Sequence, residues 1–384
     1  MTAKPMRVLL PVLTFGLLLL LLTNTGEAAA QELKDVFIGA RQDRIAAIEV
    51  RGEEVRVYRS TRRETVDGTQ IVVTLATGEG GIPISAGERL VTSDDGGQTG
   101  RVSYALSKEG QILVTFERLR DGQPSWKIAS NGPTNFYISN DGSTVAAVIQ
   151  DMHNPAAGRL TLYDAEGQEL GSVKQPLILR TRLADDGSRV VVNTGEDALQ
   201  IFDRHAKRLH RLPASADFRI SADGRTIATF HSNAVVLYRM GKEISRIPTH
   251  GVARDAAFTR DGLNVAVVEK HTLYLYDVAQ KALVLSRNTT QRDWEYRTVA
   301  LAPDGATVAV GMLTITERKT RRRQGKAEAA VLVLDSKGAV HTRHLFTPQM
   351  WNRLTPSLRF FAGGAKLLVV TPDAVRLLDL PGRK

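Results

Sequence analysis

From Leu106 onward one layout recurs seven times: an apolar stretch, a short polar turn ending in glycine, and a β-branched run. The turns are Leu106-Ser-Lys-Glu-Gly110, Ile138-Ser-Asn-Asp-Gly142, Leu183-Ala-Asp-Asp-Gly187, Ile220-Ser-Ala-Asp-Gly224, Phe258-Thr-Arg-Asp-Gly262, Leu301-Ala-Pro-Asp-Gly305 and Phe360-Phe-Ala-Gly-Gly364. Their glycines lie 32, 45, 37, 38, 43 and 59 residues apart, averaging about 42. Strand-like runs such as Thr226-Ile-Ala-Thr-Phe230 and Leu263-Asn-Val-Ala-Val-Val268 follow them. Asp-Gly between two such runs predicts a two-residue hairpin turn, because glycine accepts the positive φ that the turn needs. The runs alternate with period two, and no stretch of helical length shows a 3.6-residue period, so helical repeats of similar length are excluded.

A second landmark shares this register. A later strand in most units ends in a bulky residue and aspartate: Tyr163-Asp164, Phe202-Asp203, Tyr276-Asp277, Leu334-Asp335 and Leu378-Asp379. These aspartates lie 22, 16, 15, 30 and 15 residues beyond the turn glycine, and Tyr238-Arg239 holds the same offset of 15 in the fourth unit. A constant core spacing with two insertions is what stacked four-stranded units produce. The period, the S-x-D-G turn and the aromatic–Asp strand end resemble the WD40 repeat family and the related TolB-type propellers. Ile220-Ser-Ala-Asp-Gly-Arg-Thr-Ile-Ala228 and Leu301-Ala-Pro-Asp-Gly-Ala-Thr-Val-Ala309 match best, and the resemblance covers about residues 100 to 380. The tryptophan of the family's Trp-Asp pair is Tyr, Phe or Leu here, and its Gly-His pair survives only as an inverted His250-Gly251.

The expected fold is therefore all-β, a β-propeller of four-stranded blades. The N-terminal runs Ile45–Val50, Glu54–Tyr58, Gln70–Leu75 and Arg89–Thr92 bring the expected count to eight, with seven as the alternative. A strand near Val36-Phe-Ile38 is expected to complete the last blade, closing the ring and hiding the edges that an open sheet exposes.

Composition then sets the compartment. Lys4 and Arg7, an apolar run from Val8 to Leu22, and Ala28-Ala29-Ala30 follow the order of a secretory signal with an A-x-A site. The run is shorter than the roughly 20 residues that span a bilayer. Residues 1–30 read as a signal peptide and 31–384 as one propeller domain, exported to a periplasm or secreted with no transmembrane segment in the mature chain, and an uncleaved N-terminal anchor is the alternative. The chain has no cysteine, which excludes disulfides, thiolate metal sites and thiol catalysis.

Charge is concentrated rather than spread. Without the signal the net charge is +9, and Glu317-Arg-Lys-Thr-Arg-Arg-Arg-Gln-Gly-Lys326 holds +5 of it. This basic insertion, placed within residues 316–329, predicts a solvated loop. Arg318, Lys319, Arg321, Arg322, Arg323 and Lys326 are its candidate binding residues, for an anionic envelope surface or an acidic protein patch. With the rest of the chain nearly balanced, and no basic groove with interleaved aromatics, nucleic acid is not an expected partner.

Other candidates favour structure over chemistry. Ser93-Asp-Asp-Gly-Gly-Gln-Thr99 is similar to the opening of the Asp-box of sialidase-like propellers, a turn device. His341/His344 lack an adjoining carboxylate cluster and His205/His210 flank a basic turn, so no metal is expected. Asp185-Asp186-Gly187 and Asp94-Asp95-Gly96 read as turn caps. Trp294 and Tyr296 read as core or loop packing before a first strand, with an exposed contact as the alternative. No nucleophile elbow, zincin, P-loop or dinucleotide motif occurs, and no cofactor is expected. The function expected is a non-catalytic platform binding protein partners on a propeller face. The alternative is a glycan-directed hydrolase or lyase with its site at the channel mouth.

Overall fold

The computed structural model describes residues 32–38, 45–51, 54–59, 62–66, 70–74, 88–93, 98–106, 112–120, 123–150, 158–194, 198–215, 217–289, 293–314, 328–346, 356–361, 364–371 and 374–380. The candidate signal at 1–30 and the basic stretch 317–326 lie outside them. The described residues form strands and tight turns, with no α-helix.

Six four-stranded antiparallel sheets follow one another along the chain, spanning 88–131, 134–174, 178–213, 217–248, 255–288 and 294–346. Each is an up-and-down meander in chain order. A seventh holds Ser357–Phe361, Lys366–Thr371 and Ala374–Asp379, extended by Gln70–Thr74 and Arg62–Val66. Glu32–Ile38, Ile45–Arg51 and Glu54–Arg59 make a separate three-stranded sheet.

Two expectations are corrected here. The strand beside Ala374–Asp379 is Gln70–Thr74, with Leu377 opposite Ile71, while Val36-Phe-Ile38 pairs with Ile45-Ala46-Ala47. The N-terminal runs thus do not make an eighth four-stranded unit: they are divided among three sheets. A hairpin to a sequence neighbour closes a far shorter loop than pairing with the chain's other end, which is why 32–38 folds locally.

The core lies between the sheets. Six apolar layers join seven sheets in series, each layer drawn from two consecutive sheets. Phe202 with Leu160 and Leu162 fills one; Tyr296 with Leu273 and Leu275 fills another. Each such side chain stabilises the fold by roughly 1.5–3 kcal/mol. Middle strands are packed on both faces, so Val190–Thr194, Thr226–Phe230 and Val265–Val268 are buried throughout instead of alternating. Fourth strands such as Ala282–Asn288 lie at a sheet edge and are mostly exposed.

The recurring turn is a hydrogen-bonded knot. Ser221 Oγ donates to Asp223 Oδ1 (2.6 Å) and accepts from Thr226 N (3.0 Å), while Asp223 Oδ1 accepts from Arg225 N (3.0 Å). Ser139/Asp141 and Thr259/Asp261 repeat it. Only the glycine has positive φ, and Ser221 N donates to Thr226 O, so the connection is a four-residue loop. The expected two-residue turn would need positive φ at aspartate too. Successive turns are also tied together, by Asp141 N to Asp185 O (3.0 Å) and Asp185 N to Ala222 O (2.8 Å).

In the first four-stranded sheet the corresponding connection runs from Ser93 to Gln98, where Ser93 N donates to Gln98 O and Gln98 N to Ser93 Oγ (both 3.0 Å). The segment that resembled an Asp-box is therefore the first copy of the repeat turn, and Leu106-Ser-Lys-Glu-Gly110 instead joins the second strand to the third.

The strand-end aspartates Asp164, Asp203, Asp277 and Asp335 cap the third turns of their sheets. Asp203 Oδ1 accepts from His205 N and Lys207 N (both 2.9 Å), and Asp335 Oδ1 from Lys337 N and Ala339 N. The unit with arginine there closes on Met240-Gly241, both at positive φ, between the paired Arg239 and Lys242. A two-residue turn leaves no loop amides for an aspartate to cap.

Candidate functional site

The two ends of the strands differ. One end carries the stitched, uniform turns and the aspartate-capped ones. The other carries connections of unequal length, among them 150–158, 289–293, 315–328 and 347–356. Loops freed from a common structural duty are where binding chemistry accumulates.

At this end a cleft of about 980 Å³ opens beside the connection 249–254 and the turn 269–272, walled by His250, Arg254, Glu269, Lys270, His271 and Asn288 among others. Two carboxylates organise it. Glu269 Oε2 accepts from His250 N (2.8 Å) and Gly251 N (3.1 Å), and its Oε1 accepts from Tyr274 OH (2.8 Å) and lies 3.1 Å from His250 Nδ1. Burial works to raise its pKa, but hydrogen bonds from Tyr274, His250 and Thr272 outweigh it and hold it below the usual carboxylate range. Burial and the adjacent Glu269 push the Tyr274 phenol up to about 12. The His250 side chain, 88% exposed, is thereby oriented by a carboxylate that is 5% exposed.

Glu295 collects cations from three elements: Arg254 Nη1 (2.8 Å), Arg297 Nη2 (2.9 Å) and Lys270 Nζ (3.2 Å). Its side chain is 10% exposed. Burial again works upward, yet the hydrogen bonds from Arg254 and Lys270 and the charges of Arg254 and Arg297 hold its pKa below the ordinary range. Arg254 Nη1 also reaches Tyr296 O (3.2 Å).

A further charge ladder links first strands of consecutive sheets. Arg180 pairs with Asp217 (2.6 Å), Asp217 with Arg219 (3.0 Å), Arg219 with Asp255 (2.8 Å), and Asp255 Oδ2 accepts from Val299 N (3.2 Å). Beside it a smaller cavity of about 310 Å³ is lined by Tyr137, Asn140, Leu179, Arg180 and Arg182 among others.

Arg318, Lys319, Arg321, Arg322, Arg323 and Lys326 lie outside the described residues. Their segment leaves at Thr314 and returns at Glu328, whose N donates to Thr314 Oγ1 (2.9 Å). Thr314 is the strand partner of Trp294, and Leu313 of Glu295, so the basic segment springs from strand ends beside the cation cluster. Trp294 and Tyr296 are buried, Trp294 under the Arg343 guanidinium at 4.9 Å from the ring centroid. Trp126 packs between sheets and donates to Ala165 O (2.7 Å). Asp186 accepts from Ser188 N, a turn role. Among the described residues no three His, Cys, Asp or Glu side chains converge as metal ligands, and no helix is long and apolar enough to cross a membrane. Of the clustered residues, only the His250-Gly251 pair left a mark in the sequence. Arg254 comes from one connection, Glu269 and Lys270 from one turn, and Glu295 and Arg297 from one strand, with no shared motif.

No protein-family model and no curated protein matches the chain. Among solved structures, Kuenenia stuttgartiensis hydrazine synthase is similar at 19% identity and a TM-score of 0.47, over 65% of this chain and 76% of that one.

Proposed function

We propose that this chain is an exported, non-catalytic β-propeller that serves as a protein-binding platform in a bacterial envelope, of the kind that WD40- and TolB-type repeats build. The seven sheets joined in series are its blades. Closure is supported by Gln70–Thr74, which lies in the last blade and leads through 75–87 into Glu88–Thr92 of the first four-stranded one. Export is supported by the signal-like residues 1–30.

The observation that carries the binding reading is the coincidence at one end of the strands. The unequal connections, the cleft, the three cations around Glu295 and the roots of the basic segment all occur there. A protein partner with an acidic surface fits that end, and an anionic envelope surface is a second contact for the basic segment. Catalysis is disfavoured because the cleft's carboxylates and phenol are engaged with one another or with cations. A glycan-directed hydrolase or lyase is the second reading, and the outward-facing His250 held by Glu269 is what favours it.

Affinity capture of mature protein from its own envelope fraction tests this. The expected result is a partner retained by wild type and lost when Arg318, Arg321, Arg322 and Arg323 all become Gln. It should be kept when Lys207 and Lys337, exposed at the stitched end, become Gln. Equal capture by all three proteins overturns the assignment of the face. Glycan cleavage that His250→Ala abolishes would replace the platform with the enzyme.

A further inference from the structure

Three cations around one carboxylate exceed what a structural ion pair needs. Arg254 and Arg297 both address the same oxygen of Glu295, Lys270 addresses the other, and two positive charges remain uncompensated within the cluster. Assembling partly buried cations costs free energy unless anions offset them. The cluster is also built with care. Arg297 is the extra residue where the register of Trp294–Leu301 against Thr307–Thr314 shifts between Tyr296 and Thr298, and such a bulge re-aims a side chain. Arg254 is anchored through its own N to Val268 O (2.8 Å) and through its guanidinium to Tyr296 O. Lys270, 58% exposed, can turn from Glu295 towards an incoming group.

We propose that Glu295 stands in for a ligand carboxylate, and that the cleft beside it receives an acidic peptide segment of the partner. This rests on the platform reading and supplies the chemistry of what is bound. The donors already hold a carboxylate at 2.8–3.2 Å, which is the group their spacing suits. At about 980 Å³ the cleft is larger than one anion requires, and Val252, 55% exposed on its wall, offers an apolar contact between acidic positions. A chain of acidic residues with one apolar residue therefore fits better than an isolated ion.

The test is fluorescence polarisation with a labelled Glu-Glu-Leu-Glu-Glu peptide and its Gln-Gln-Leu-Gln-Gln control. It uses the full mature chain in which Arg318, Arg321, Arg322 and Arg323 are Gln, so the basic segment does not contribute. The acidic peptide should bind and the control should not. Lys270→Ala should weaken binding roughly tenfold, the loss of one charge-assisted hydrogen bond. Glu295→Gln, which frees all three cations, should tighten binding by a similar factor. A folded Glu295→Gln protein that binds no tighter, or an unchanged affinity in Lys270→Ala, overturns the proposal. If Glu295→Gln fails to fold, Lys270→Ala and Arg297→Gln decide it by the same criterion. Displacement of the peptide by inorganic phosphate at equal concentration would overturn the carboxylate assignment. Failure here while partner capture persists leaves the platform standing; failure of both removes both.

Discussion

Gly224 shows two demands meeting at one atom. Its φ is +65°, where an L side chain costs about 1–2 kcal/mol, and an added Cβ would lie 2.9 Å from the Cβ atoms of Ala184 and Arg189 in the preceding sheet. Those atoms move only with their backbone. Gly132, at φ +96°, has nothing within 4 Å of an added Cβ. Gly224→Ala should therefore lose about 3 kcal/mol, combining strain with overpacking, and Gly132→Ala about 1–2. Urea unfolding midpoints measure both. Equal losses would mean that glycine is kept in the repeat for its backbone alone, with no part in docking one sheet on the next.

At the level of strands, the join between Ala374–Asp379 and Gln70–Thr74 is the one on which the proposed closure depends. Gln70–Val72 is paired on both sides, to Arg376–Leu378 and to Glu64–Val66, so proline within it removes a ladder hydrogen bond. Val72→Pro should cost about 3 kcal/mol or more and lower the melting temperature of the whole domain. Deleting 31–59, the separate three-stranded sheet, should leave that temperature nearly unchanged. The reverse pattern in calorimetry would put the closing strand back near Val36. Much of this level was legible in the sequence. Asp-Gly turns and aromatic–Asp strand ends mark the sheets because both are local hydrogen-bonding devices whose partners lie within five residues. Pairing of residue 72 with residue 376 leaves no local trace, so the sequence alone points to a strand near Val36-Phe-Ile38 as the one added to the last sheet and assigns Gln70-Ile-Val-Val to a separate unit. The first turn was misplaced for a related reason. Ser93-Asp-Asp-Gly96 matches the repeat, but its second glycine made it look like a different device, while Leu106–Gly110 preserved the expected length. The Glu295 cluster was invisible because register and connection geometry, which no motif records, bring Arg254, Lys270 and Arg297 together.

Across the whole molecule the charges that matter for stability join one sheet to the next. Arg180–Asp217, Arg219–Asp255 and two of the three cations of Glu295, Arg254 and Lys270, cross between consecutive sheets, whereas the bonds inside a sheet are mainly neutral backbone bonds. Asp217 is half-buried, which works to raise its pKa, but Arg180 and Arg219 outweigh burial and hold it below the ordinary range. Glu269 and Glu295 are depressed likewise. A depressed carboxylate binds fewer protons folded than unfolded near its ordinary pKa, so its contribution is complete above about pH 4 and disappears as pH falls through the lowered value. Asp255 runs the other way. Burial raises its pKa more than Arg219 lowers it, so protonation on acidification favours the fold and offsets part of the loss. The Asp335 pKa is depressed as well, mainly by the backbone amide of Ala339, and with four such groups against one, stability should fall below about pH 4. Asp217→Asn should lose roughly 1–3 kcal/mol at pH 7 by leaving two guanidinium groups short of a partner, and its acid limb should be flatter than that of wild type. Urea unfolding between pH 7 and 2.5 measures both. Because several of the affected bonds lie between sheets, the near-ultraviolet signal of Trp294 and Trp126, each packed at such a junction, should decay at higher pH than the far-ultraviolet strand signal. Coincident decay of the two signals, with parallel acid limbs in wild type and Asp217→Asn, would instead place the acid-sensitive contacts inside the sheets.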